Sequence, residues 1–315
     1  MMFYNALAAV ATMLILMGLG FLFAWKGYLT SDGDGLLSAL VVRAALPGSI
    51  LATMLNTFTR ARLADAAALL LVPIPNMLLW ILAARPLARL FRVPEKRRGV
   101  FAALLAFSNT VFIGFPVVRA VIGEIGIPYA TVYYLANTVV FWVFGSGLIQ
   151  RDADASAAPS FNISAALKRL AIPPFITLII SIVLVVLGVS LPAPVMDAAQ
   201  SVGGLVTPLS MVFIGSMLYR VTRSGLKWER GFGAVIAARY IAAPALTVLT
   251  GLALGVSGLP AQVFALQSGM ASMTQIAIIA HDYGADSEYA SLGIAISTLS
   301  LMAALPLFAL ILPLL

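Results

Sequence analysis

The side chains best suited to chemistry in this chain are amides, hydroxyls and three arginines set inside apolar segments. Residues 107–119 read FSNTVFIGFPVVR, within an apolar stretch long enough to cross a bilayer. Pro116 has no backbone N–H and its ring collides with the carbonyl four residues back, while Gly114 removes the side chain that would stiffen the preceding turn. A freed amide or carbonyl is costly in hydrocarbon, so a break here survives only where protein or a polar cavity covers it. Ser108, Asn109 and Thr110 are within reach of such a cavity. The segment is predicted to unwind near the membrane midplane and form half of a substrate site, its half-helix from about Pro116 pointing a positive dipole end at an anion. A proline kink satisfied by neighbouring helices is the plainer alternative. A second polar stretch, with Gln267, Ser268, Gly269, Ser272, Thr274 and Gln275, favours the substrate site.

The arginines add charge to that picture. Arg43 stands about one helical turn before Pro47, and Arg239 five residues before Pro244. Either could anchor a substrate carboxylate through its guanidinium fork, or pair with carbonyls freed by its proline, or reach the interface. Arg119, near an end of its span, reads as an interfacial snorkel. Asn109, Asn137, Gln267 and Gln275 could bind a substrate or cation, although such side chains also join helices to one another. The broken spans raise the functional share for Asn109, Thr274 and Gln275.

Enzyme chemistry is not expected. No phosphate-binding glycine loop, metalloprotease helix or serine elbow occurs, and the carboxylates fall in loops or at helix ends, so a relay of paired intramembrane acids lacks its parts. His281, Asp282 or Glu124 at helix ends leave proton coupling open, with an interface or capping role as the plainer reading for His281. With no cysteine and one histidine, neither a cofactor nor a metal site is expected.

The elements that hold these residues must be membrane helices. Of the 315 residues 62% are hydrophobic and 10% charged, with a mean hydropathy of +1.04. At about 20 residues per span there is room for about ten spans and little else. The net charge of +7 reads as cationic cytoplasmic loops rather than as a nucleic-acid surface. The apolar run to Trp25 reads as a retained first span. The fourth span is placed at about 99–123 and the ninth at about 261–281.

Residues 151–168 alone have linker character, which divides the chain into five-span halves at 1–150 and 169–315. Tyr129 leads to Asn137 and Thr138, and 160 residues later Tyr289 leads to Ser297 and Thr298 at the same spacing. Leu46–Ser49 likewise parallels Thr207–Ser210. Because each half has an odd number of spans, the halves form an inverted repeat. Loops after odd-numbered spans hold 14 of the 19 Lys and Arg, which places the 151–168 linker in the cytoplasm and both termini outside.

The sequence SNTVFIGFPVV followed by GEIG resembles the asparagine, glycine and proline signature in the fourth span of the auxin efflux carrier family, the PIN-like permeases and their bacterial relatives. TPLSMVFIGSML at 207–218 is similar to that family's seventh span, and residues 271–291 to its ninth and tenth. The resemblance covers essentially the whole chain. It implies an all-α integral membrane protein of ten helices in two inverted five-helix repeats, with broken helices 4 and 9 crossing. It further implies a scaffold of spans 1, 2, 6 and 7, a transport domain of spans 3, 4, 5, 8, 9 and 10, and elevator-like alternating access. The implied activity is secondary transport of a small organic anion, auxin in plant members and dicarboxylates such as malate or malonate in some bacterial ones. One departure stands out, because Met273, Thr274 and Gln275 occupy the region where the family usually has proline.

The site residues expected are therefore Asn109, Thr110, Gly114, Pro116, Asn137, Arg239, Ser272, Thr274, Gln275 and Arg43. Expected partners are the anion, the lipid bilayer and a coupling ion, H+ or Na+, where there is one, with a homodimer left open. Two other readings remain: a sodium-coupled symporter of the bile-acid-transporter type, and a membrane sensor without flux.

Overall fold

The computed structural model describes residues 2–60, 63, 68–153 and 171–312, and among them every regular element is helical. The 151–168 linker lies outside the described residues from 154 onward. Helix α1 spans Met2–Trp25, and α2 (Ser31–Leu40) runs into α3 (Leu46–Thr57). Then come α4 (Pro73–Leu90), α5 (Arg98–Ala106), α6 (Phe115–Val121), α7 (Ile127–Val140) and α8 (Ser146–Ala153). After the undescribed stretch come α9 (Pro173–Leu187), α10 (Ala193–Gly203) and α11 (Val206–Ser224). The chain continues through α12 (Phe232–Ala237), α13 (Ala243–Ala253), α14 (Leu259–Ser268), α15 (Gln275–Tyr283) and α16 (Ser287–Ile311). Among the described residues, five stretches are long and apolar enough to cross a bilayer: Ser31–Thr57, Glu124–Ala153, Ala193–Ser224, Phe232–Ala253 and Ser287–Phe308. The segments placed as the fourth and ninth spans, expected to be broken, are each two short helices, α5 with α6 and α14 with α15.

Proline shapes the helices that stay continuous as well as those that break. Wider π-helical turns occupy Val41–Ala45, Thr110–Gly114 and Ala238–Ala242, and each is followed within two residues by Pro47, Pro116 or Pro244. A proline ring clashes with the carbonyl four residues back, and shifting the bonding to the fifth residue relieves the clash without ending the helix. Arg43 and Arg239 each lie inside one of these turns. A fourth such turn, Phe141–Gly145, has no proline; there a Cβ on Gly145 would sit 2.5 Å from the Phe107 ring.

Two sets of helices pack within themselves. α1 lies on α11 at backbone contact, since a Cβ on Gly215 would fall 1.9 Å from the Met17 carbonyl oxygen. α3 packs on α9 and α10, where Gly48 and Gly203 bring the α3 and α10 backbones together. In the other set α5 packs on α4 and α8, α14 on α13, and α16 on α15. From Gly99 to Ala106, α5 is buried on every face. Its start is held by Asp152, whose two carboxylate oxygens accept the Gly99 and Val100 amides at 2.8 Å each.

Candidate functional site

The two breaks meet. Leaving α5, Phe107 turns to extended geometry at φ −110°, ψ 128°, and Ser108 comes to lie antiparallel to Ser272, which follows the end of α14. The Asn109 amide donates to the Ala271 carbonyl at 2.8 Å and the Met273 amide to the Phe107 carbonyl at 3.1 Å. These two bonds satisfy backbone groups that lost helical partners, as buried apolar surroundings demand. The second break therefore forms without proline, across Gly269–Thr274, because the first supplies it with a strand partner.

Side chains from neighbouring helices complete the join. Asn137 on α7 accepts the Ser108 amide through Oδ1 and donates Nδ2 to the Ser108 carbonyl, both at 3.1 Å. On the other segment Ser297 Oγ accepts the Ser272 amide at 3.1 Å, and Ser272 Oγ donates to the Leu104 carbonyl at 2.9 Å. The sequence placed Ser297 opposite Asn137 by spacing but gave it no role; that shared offset was the signal for it.

Arg239 lies between the breaks and is 1% exposed. Nε donates to the Met270 carbonyl, Nη1 to Leu105 and Nη2 to Ser268, each at 2.9 Å, and Nη2 also donates to Ser108 Oγ. All three carbonyls belong to the ends of broken helices, so the guanidinium fork ties one break to the other. Among the described residues no carboxylate pairs with it, so the crossing keeps a fixed positive charge.

Asn109 and Thr110 are buried here, and Asn109 Oδ1 caps the following π turn by accepting the Phe112 amide at 3.1 Å. Its Nδ2 has no partner. Pro116 is buried at the start of α6. Gly114 admits the amide of Gln267, whose Oε1 would lie 2.1 Å from a Cβ placed there, and both polar atoms of that buried amide lack partners. Gln267 thus has a stronger claim to the site than its sequence context suggested. Thr274 and Gln275 stand where α15 begins, Thr274 nearly buried and Gln275 partly open. Arg43 is not part of the cluster; its side chain is exposed on the α2–α3 helix, which packs on α9, α10 and α11. Arg119, expected as a snorkel, instead pairs with Glu124 at 2.6 Å and reaches Thr207 on α11.

The arrangement offers unpartnered amides and a fixed cation within a helical wall. A family model described as membrane transport protein matches residues 5–309. An uncharacterized transporter of Methanocaldococcus jannaschii is 24% identical over 300 residues, which cover 92% of this chain and 93% of that protein. An uncharacterized transporter of Methanothermobacter thermautotrophicus is 24% identical over 322 residues, covering 99% of this chain and 100% of that protein.

Proposed function

We propose, from the premise that the chain belongs to the membrane transport protein family of auxin efflux carriers, that it is a secondary transporter of a small organic anion, moving it by elevator-like alternating access. The observation that supports this most is the Arg239 charge at the crossing, bonded to carbonyls and unpaired with any carboxylate among the described residues. At an effective dielectric of about 20, a unit charge about 8 Å away interacts with it by about 2 kcal/mol. That favours a carboxylate beside the crossing and disfavours sodium by a like amount. The unpartnered Asn109 Nδ2 and the Gln267 amide are the neutral groups that would orient the cargo.

In this reading α1–α3 and α9–α11 form the scaffold, and the helices that hold the crossing form the moving part, related as two inverted five-helix repeats. Both termini face the periplasm. The test is uptake into proteoliposomes of labelled mono- and dicarboxylates, with and without sodium, preceded by a thermal-shift screen of the same compounds. Saturable carboxylate uptake that competes with its unlabelled form is expected. Stabilisation by sodium alone, or binding with no flux, would overturn the reading.

A further inference from the structure

Beyond the crossing, α6 continues to Arg119, and there a cavity of about 540 Å³ opens between the two sets of helices. One wall is α3, α10 and the start of α11, with Ser49, Gln200 and Thr207; the other is Arg119 and Glu124. Arg119 donates Nε to Glu124 Oε1 at 2.6 Å and Nη2 to Oε2 at 3.4 Å, while Nη1 reaches Thr207 Oγ1 at 3.5 Å across the gap. The two partners differ in exposure, the arginine side chain being 22% exposed and the glutamate 70%. The cation is held in the wall and the carboxylate can leave for water. Opposite them Ser49 is 3% exposed, and its hydroxyl has no partner.

We propose that this cavity is a second anion site, an anteroom in which the carboxylate of a small organic acid takes the place of Glu124 on the Arg119 fork. The chemistry is an exchange of like for like. Glu124 occupies the guanidinium with both carboxylate oxygens, the geometry in which a substrate carboxylate would bind, so the resting pair already displays the ligand's binding mode. Thr207 adds a donor from the facing wall, so the bound anion touches both sets of helices at once. Glu124 is then an internal competitor that keeps the site neutral when empty and sets how tightly the acid is held. Restoring the Arg119–Glu124 pair pushes the acid out. The site is separate from the crossing, although it rests on the reading of the cargo as an anion.

The test uses the full chain purified in detergent, titrated with acetate, malonate, succinate and malate and read by thermal shift and calorimetry. Glu124→Gln removes the competitor and keeps the side chain's shape, so the apparent affinity for at least one of the acids should rise about tenfold. Arg119→Gln should lower it about tenfold or more, with Arg119→Lys, which keeps the charge and loses the fork, falling between. Should Arg119→Gln not survive purification, the opposite signs of Glu124→Gln and Arg119→Lys still decide. Binding that ignores both substitutions, or that weakens in Glu124→Gln, overturns the anteroom and leaves the crossing as the anion site. No binding of any of these acids to wild type or to Glu124→Gln overturns the anteroom and the anion reading together.

Discussion

Arg239 donates to three main-chain carbonyls and one hydroxyl at the place where two broken helices need donors most. Replacing it with glutamine leaves several buried acceptors unpaired, each at about 1–3 kcal/mol. We expect Arg239→Gln to lower thermal stability in detergent by several kcal/mol and to abolish carboxylate uptake with it. Arg43→Gln, at an exposed position, should change stability by no more than about 0.5 kcal/mol. Equal losses in the two would mean that the crossing does not depend on the clamp. From the sequence these arginines looked alike, each shortly before a proline in an apolar segment. What separates them is which way the π turn faces, and that is set by the packing of other helices. Asn137 was expected either to bind cargo or to join helices, and both ends of its amide are taken by the Ser108 backbone; Gln267 was harder to single out, because its contact with Gly114 joins distant segments.

At the scale of elements, the two breaks differ in how they are encoded. The first has a local cause in Pro116, and restoring an N–H there should let the turn close toward a regular helix. We expect Pro116→Ala to abolish flux while expression stays near normal; near-normal flux would show that the break does not depend on proline. The second break has no proline, and its extended backbone is held by Phe107, Asn109, Ser297 and Arg239. Nothing local in the sequence marks it as sharply, since its partners lie 25 or more residues away. The cap on α5 is equally non-local. Asp152 accepts two amides from a helix more than fifty residues earlier, so Asp152→Ala should cost about 1–3 kcal/mol in thermal unfolding, and an unchanged midpoint would mean that α5 is fixed by packing alone.

For the molecule as a whole, charge and contact together mark two ends and a seam. At one end Arg97 joins Glu229 at 2.9 Å and Asp286 at 2.7 Å, tying together loops from three parts of the chain. At the other end Arg119 meets Thr207 across the cavity. Between the ends, Phe112 beside the crossing packs on Phe213 of α11 with ring centroids 4.9 Å apart. Apolar ring contacts slide at little cost compared with ion pairs, which makes this seam the natural plane for the proposed motion of one helix set past the other. The chain has no cysteine, so the pair Phe112→Cys and Phe213→Cys can be bridged by a short thiol crosslinker without background. Bridging should abolish flux in proteoliposomes while carboxylate binding persists, and cutting a reducible crosslinker should restore transport. Each single-cysteine variant treated alike should transport as before. Undiminished flux in fully bridged protein would mean that the two sets do not slide at this seam, and that access to the crossing alternates by smaller movements around the Arg119–Glu124 pair.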